Sequence, residues 1–387
     1  MLKLSSFLNV EYIYHFGSDD PWKKIMGDAS SNIIRLSQDE SALNILPSNV
    51  LSLKLENLDA GTQRLVANYG FTEFLYHHPY TSQAKQEFVR FSRNTYTKDD
   101  VRLNQICDFE KQHRSEMALW WYTKDSFPFH ILNKTLRSYD LSSMFKIRYY
   151  ISDLYSELDL LYHLQLKSQL LSCISRLYRG KVIQREEFDD LKKSIGKYAV
   201  VNSFVSYSVD KKVALAYVDR GIPESTGNVS VVFCIENNAT KDFSKPIAFI
   251  KEYSEKPDEY EVLLSSGIIF KIVSIDRLDE NLWEIHLFRG TEEQQFGEEF
   301  YKHFWLPDGF LNMPVDIESI FKTINDGQYF KELKNVLPTN FRTTNSIPST
   351  QRHIARFKSR VFPDSKCELD DPNMPHSPDM VILFVEE

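Results

Sequence analysis

Cysteine is scarce in this chain. The four cysteines in 387 residues, Cys107, Cys173, Cys234 and Cys367, lie far apart and form no Cys-x-x-Cys pair. That spacing argues against a zinc cluster or a dense disulfide framework, and such sparse use fits a reducing compartment. No apolar run is long enough to span a bilayer. The N-terminus, Met1-Leu2-Lys3-Leu4-Ser5-Ser6-Phe7-Leu8, shows no sustained apolar stretch ending in small residues. No signal peptide and no membrane partner are expected, and the default location is cytosolic. Positive charge is not in excess either. A formal net charge of -8 argues against a broad electrostatic grip on phosphate backbones, so no nucleic-acid partner is expected. No internal repeat is visible, which leaves a solenoid without support.

What is present is ordinary for a soluble globular protein: 42% apolar and 26% charged residues, enough for a large core. The length fits two or three domains, or one domain with sizeable extensions. Residues 1–70 mix short apolar runs with turn residues such as Gly17-Ser18-Asp19-Asp20-Pro21 and Pro47-Ser48-Asn49, and read as an irregular N-terminal extension. Over 71–176 the pattern becomes helical. Ser115-Glu116-Met117-Ala118-Leu119-Trp120-Trp121 opens one helix, and a second continues from Phe129 through Arg137. A third is expected over 144–171, where Ile147, Ile151, Leu154, Leu158 and Leu161 recur every three or four residues.

After Leu177 the period switches. Segments 200–206, 229–235, 261–264, 268–275 and 283–288 are short, β-branched or aromatic, and bounded by polar turns, which predicts strands. Short helices are expected at 186–193 and 210–218. Helices followed by strands give an α+β chain: a helical lobe (71–176) packed on a mostly antiparallel β core (177–288). A C-terminal extension fills 289–387, with a charged helix over 292–303, another helical stretch over 317–336, a Pro-rich tail and a strand at 380–385. The pair His77-His78 has no third ligand at a metal-site spacing and reads as a surface turn. The basic tail residues Arg352, Arg356, Lys358 and Arg360 read as a solvated charge run.

Three short motifs follow one another in the β portion: Leu177-Tyr178-Arg179-Gly180, Ser206-Tyr207-Ser208 and Glu259-Tyr260-Glu261. On an extended strand Glu259 and Glu261 would share one face, with Cα atoms roughly 6.5 Å apart. Two neighbouring carboxylates repel each other, which raises one pKa and separates their roles. A carboxylate of this kind suits cleavage of a glycosidic bond through a cation-like sugar, because it stabilises the developing charge and holds a ring hydroxyl. An arginine fork suits a pyrophosphate, and a serine hydroxyl orients a sugar. Taken singly, each motif is most often a solvated strand face, a strand end or a turn. Their order on separate strands is the informative part.

In that order the chain resembles the arginine–serine–glutamate branch of the ADP-ribosyltransferases. Ala118-Leu119-Trp120-Trp121-Tyr122-Thr123, then Leu132-Asn133-Lys134 and Leu136-Arg137, resemble the helical region that precedes the sheet in this family. Leu177-Tyr178-Arg179-Gly180 resembles its first core strand, Asn202-Ser203-Phe204-Val205-Ser206-Tyr207-Ser208 its serine strand, and Asp258-Glu259-Tyr260-Glu261-Val262-Leu263 its glutamate strand. Together they span roughly residues 100–288.

The resemblance implies an NAD-binding β core, NAD as substrate, no metal, and a target-protein arginine as acceptor. It implies that Arg179 holds the NAD phosphates and ribose, that Gly180 offers backbone groups to the nicotinamide amide, and that Ser206 supports the nicotinamide ribose. Glu261 is implied to bind the ribose 2′-hydroxyl and stabilise the oxocarbenium-like transition state. Glu259 is implied to orient or deprotonate the incoming guanidinium, with the loop before it, about residues 249–258, facing the target. Tyr217 is the nearest candidate to stack on nicotinamide, although Val213 and Ala214 beside it on a helix make a core role equally natural. The chain departs from the family at Tyr207, where the pattern has threonine; alternation points Tyr207 away from Ser206. On the sequence, an NAD glycohydrolase, a catalytically degenerate NAD-binding module and an interaction protein built on the same scaffold stay open as alternatives.

Overall fold

The computed structural model describes residues 43–54, 57–77, 83–218, 226–237 and 245–305. The helical stretch expected at 317–336, the strand expected at 380–385, the basic tail residues and most of the turn expected at the His-His pair lie outside them.

Helices fill most of the described chain between residues 60 and 167. The first, α1 (Ala60–His77), runs straight through the boundary expected at residue 71. It starts at Asp59, whose carboxylate accepts from the Thr62 amide at 3.0 Å and from the Thr62 hydroxyl at 2.5 Å, an N-cap that composition alone hides. Then come α2 (Ala84–Thr95), α3 (Asp100–Gln112), α4 (Ala118–Thr123) and α5 (Phe127–Arg137). The helix expected over 144–171 is two helices, α6 (Leu141–Lys146) and α7 (Arg148–Lys167). They break at Ile147 (φ -100°, ψ 8°), which ends one and begins the other. Asp140 caps α6 through the Ser143 amide.

The α7 helix is central to the lobe. Its Tyr150, Ile151, Leu154 and Leu158 are fully buried among Phe88, Phe109, Trp121 and Phe127. Phe88 stacks on Tyr150 with ring centroids 5.7 Å apart. Burying each such side chain contributes about 1.5–3 kcal/mol, so this one face stabilises the lobe more than any surface ion pair.

The strands are β1 (Leu43–Ile45), β2 (Arg176–Gln184), β3 (Tyr198–Val201), β4 (Val205–Ser208), β5 (Asn228–Asn237), β6 (Ile247–Phe249), β7 (Glu261–Leu264), β8 (Ile269–Asp279) and β9 (Leu282–Arg289). Among the described residues they form one sheet in the order β1-β3-β8-β9-β5-β2-β4-β7-β6. Every pairing is antiparallel except β5 with β9, so the chain is α+β with a mostly antiparallel sheet, as its pattern predicts. Short helices α8 (Arg185–Lys192) and α9 (Lys211–Ala216) interrupt the strands, and α10 (Thr291–Trp305) follows them. Among the described residues no helix is long and apolar enough to cross a membrane.

Two departures from the sequence pattern shape the site. Residues 43–45, expected to be part of an irregular extension, instead pair with β3 at the sheet edge. The single strand expected over 200–206 is split into β3 and β4. Between them the Phe204 carbonyl accepts from the Tyr122 hydroxyl at 2.9 Å, and its ring enters the helical core. The chain thereby changes partners: β3 pairs with β1 and β8, and β4 with β7 and β2.

The β2–β4 junction carries a single paired position, Tyr178 opposite Ser208. It divides the sheet into a six-strand and a three-strand half. Leu177, Phe233 and Ile285 of the larger half share one apolar cluster with Tyr207, Val262 and Leu264 of the smaller. Ala248 and Leu263 of the smaller half belong instead to the helical core. The three-strand half is therefore the layer common to both cores, and it carries Ser206 and Glu261.

Candidate active site

The β4–β7 register sets Ser208 opposite Glu261 and Ser206 opposite Leu263. Ser206 is thus the diagonal neighbour of Glu261 on one face of the pair, within reach of the long glutamate side chain. Its hydroxyl donates to Glu261 Oε1, and the Ser254 hydroxyl donates to Oε2 at 3.2 Å. Glu261 is only 5% exposed. Burial pushes its pKa up to about 7; the two serine bonds and the Lys256 charge work against that rise, and the charge of Glu259 adds to it. A buried carboxylate held by two donors, with an acidity near neutral, is a group poised between two protonation states.

Glu259 does not lie on the strand. Residues Pro257–Glu259 form a single 3-10 turn, and Tyr260 takes a left-handed conformation (φ 46°, ψ 50°) before β7 begins at Glu261. The shared face expected for Glu259 and Glu261 on an extended strand is therefore corrected. Pro257 fixes its own φ and lacks an N–H, so the chain turns here instead of joining the ladder. The turn is pinned to β4, since the Ser208 hydroxyl donates to the Glu259 carbonyl at 2.8 Å and accepts from the Asp210 amide at 3.0 Å. Glu259 Oε1 receives the Tyr217 hydroxyl at 2.6 Å and lies 3.4 Å from Lys256 Nζ.

Tyr217 sits just past the C-terminus of α9, not within the helix as expected. The Asp210 carboxylate caps the start of α9 through the Lys212 amide at 2.8 Å. The helix packs so closely on β2 that a Cβ at Gly180 would stand 1.8 Å from the Ala214 carbonyl oxygen. Gly180 thus has a steric reason to be glycine. Beside it, half-buried Arg179 donates from Nη1 to the Ser206 carbonyl at 2.8 Å, across the junction of the two sheet halves. Burial lowers the pKa of its guanidinium, which stays charged all the same.

The helical lobe buttresses this arrangement. Besides the Tyr122 bond to Phe204, Asn133 Nδ2 donates to the Tyr122 hydroxyl at 3.3 Å, and Arg137 Nε donates to the Ser203 hydroxyl at 3.3 Å. The Glu255 amide donates to Thr123 Oγ1 at 2.9 Å, tying the loop before Glu259 to α4. Tyr207 pairs with Val262, 6% exposed in the apolar cluster on the face away from Ser206. Its aromatic ring adds to the core there.

The fold thus joins Ser206 to Glu261, Tyr217 to Glu259, and Arg179 to the backbone of Ser206. Two contributors escape the sequence pattern. Ser254 reads as one polar residue of a turn, with nothing to say which way its hydroxyl points, and Thr123 reads as the end of an aromatic helix. A serine two residues before a lysine–proline turn is the only signal that precedes the Ser254 contact.

No family model matches the chain, and no curated protein matches it. Among solved structures, the chain is similar to the Vis toxin, an ADP-ribosyltransferase from Vibrio splendidus, at 19% identity over 57% of this chain and 90% of that one (TM-score 0.34). It is similar to the ADP-ribosyltransferase HopU1 of Pseudomonas syringae pv. tomato DC3000 at 17% identity over 55% of this chain and 99% of that one (TM-score 0.34). It is also similar to the C3 exoenzyme of Clostridium limosum at 15% identity over 52% of this chain and 95% of that one (TM-score 0.32). The solved proteins that this chain is similar to thus include ADP-ribosyltransferases, the group that its three motifs resemble.

Proposed function

We propose that the chain transfers ADP-ribose from NAD to arginine side chains of target proteins. The observation that carries this reading is the buried Glu261 carboxylate, held by the Ser206 and Ser254 hydroxyls two residues after a turn that presents Glu259. In the reaction, the bond between the nicotinamide nitrogen and ribose C1′ breaks, and its electron pair leaves with nicotinamide. Glu261 binds the ribose 2′-hydroxyl and stabilises the cation-like sugar, the point at which a preorganised charge contributes most. An arginine nitrogen then forms the new bond to C1′, and its proton passes to Glu259. Arg179 holds the NAD phosphates and ribose, Gly180 offers backbone groups to the nicotinamide amide, and no metal takes part.

The test is incubation of the full chain with labelled NAD and agmatine, a small guanidino acceptor, beside a Glu261→Gln control. Label on agmatine that disappears in the control supports the reading. Free ADP-ribose without labelled agmatine would favour a glycohydrolase, in which water outcompetes the guanidine. An absence of turnover would favour an NAD-binding or interaction module. Tyr207 is buried on the face away from Ser206, which supports a reading in which the departure from threonine leaves the site face unchanged.

A further inference from the structure

The Glu259 amide bonds within its own turn, to the Lys256 carbonyl, but its carboxylate is held by a residue from another element. The Tyr217 hydroxyl, carried by α9, reaches 2.6 Å to Oε1, and Lys256 approaches the same oxygen at 3.4 Å. No described residue donates to Oε2. The two contacts are unequal in kind. Lys256 is three residues away in the same loop with about half of its side chain exposed, so water competes for its ammonium. Tyr217 is half-buried and is carried at the C-terminal end of α9. A phenol donating to a carboxylate is a charge-assisted bond, shorter and stronger than a neutral one.

We propose that Tyr217 is a positioning residue for acceptor transfer: its hydroxyl occupies Glu259 Oε1 and so turns Oε2 toward the incoming guanidinium. The inference rests on the transferase reading given above and deepens it. It also gives Tyr217 a different task from stacking on nicotinamide. A free glutamate carboxylate turns over a broad range about its last torsion, and a guanidinium must meet it in one orientation. With Oε1 engaged, the carboxylate plane is set before the acceptor arrives, which is the kind of preorganisation that separates productive from unproductive encounters. Lys256 is the cation that an arriving guanidinium displaces.

The chain of support runs back to the sequence. Asp210 caps α9, Gly180 lets α9 sit against β2, and the helix ends where its next residue, Tyr217, faces the 3-10 turn of Glu259. Burial and the adjacent Glu259 charge both push the phenol pKa above its ordinary value, so the hydroxyl remains a donor throughout the working range of pH.

The test compares Tyr217→Phe and Tyr217→Leu with the unaltered chain, measuring labelled agmatine and free ADP-ribose in the same reaction. Tyr217→Phe removes only the hydroxyl. The expected result is a fall of about tenfold in the ratio of agmatine transfer to NAD hydrolysis, the scale of one lost charge-assisted hydrogen bond. That fall is expected in kcat/KM for agmatine, at an unchanged melting temperature. A Tyr217→Phe chain with an unaltered ratio, paired with a raised KM for NAD in Tyr217→Leu, would overturn the proposal in favour of ring stacking. An equal loss of both activities in Tyr217→Phe would also overturn it. If the unaltered chain itself neither hydrolyses NAD nor labels agmatine, the transferase reading fails first, and the positioning role fails with it.

Discussion

Ser206 and Glu261 stand diagonally across the β4–β7 pair, and the serine hydroxyl donates to a carboxylate that the two strands bury. The contact is the largest of the influences that keep the pKa of Glu261 from rising further. Ser206→Ala removes it and leaves Ser254 as the remaining hydroxyl donor. We expect NAD turnover to fall about tenfold at neutral pH, the cost of one hydrogen bond to a charged group. The midpoint of the pH–rate profile should move to higher pH. A profile that stays in place while the rate falls would mean that Ser206 acts on the substrate alone.

Acidity gives a second prediction. Glu261 is protonated below about pH 7 and ionised above it. If the carboxylate is the reactive form, kcat/KM for NAD rises through that pH and levels off above it. Stability runs the other way. A carboxyl whose folded pKa is raised favours the folded state fully below its unfolded pKa, and that contribution is lost as pH rises through the folded value. Glu261→Gln should therefore raise the melting temperature at pH 8, by an amount worth at most about 3 kcal/mol. The difference should shrink toward pH 5. Thermal scans across that range check both the sign and the window.

Removing the first carboxylate separates two activities. Glu259→Ala should depress agmatine labelling far more than NAD hydrolysis, because the proposed reaction assigns this glutamate to the acceptor. Glu261→Gln should depress both, by roughly a hundredfold or more. Equal losses in the Glu259 variant would sink the acceptor role. Time courses of nicotinamide release and agmatine labelling in one reaction give both rates.

Gly180→Ala tests the packing under α9. The added methyl would sit 1.8 Å from the Ala214 carbonyl oxygen, a backbone atom that cannot swing aside. The helix must shift, at a cost of about 1–3 kcal/mol. Because Tyr217 ends that helix, transfer to agmatine should fall by more than the lost stability explains. An unchanged melting temperature would show that α9 relaxes freely.

How much of this was legible in the chain depends on the kind of constraint. The period of three to four along α7 and the apolar runs of β5 and β9 each report burial, so those elements and their order are legible. The split at Ile147 and the strand break at Phe204 are not, because each is decided by a partner far along the sequence; Tyr122, for example, claims the carbonyl of Phe204. The site divides in the same way. Arg179, Ser206, Glu259 and Glu261 stand out by motif order. The extended strand expected over Glu259-Tyr260-Glu261 begins only at Glu261, because the turn that starts at Pro257 runs through Glu259. The hydroxyls of Ser254 and Tyr217 leave no periodic trace, since a single polar contact imposes no pattern on its neighbours.

The junction between β2 and β4 has a consequence for how Arg179 variants are read. Continuing the register from Tyr178 and Ser208 would set Gly180 opposite Ser206, but no backbone pair forms there. Instead the Arg179 guanidinium donates to the Ser206 carbonyl, so a side chain serves as the missing rung of the ladder. Replacing Arg179 would unfasten the two sheet halves at the point where the serine is mounted. An Arg179→Ala chain would thus misplace Ser206 even before NAD arrives, whereas Arg179→Lys would retain a single donor without the planar fork. Comparing these two variants separates the arginine as a structural cross-tie from the arginine as a ligand for phosphate.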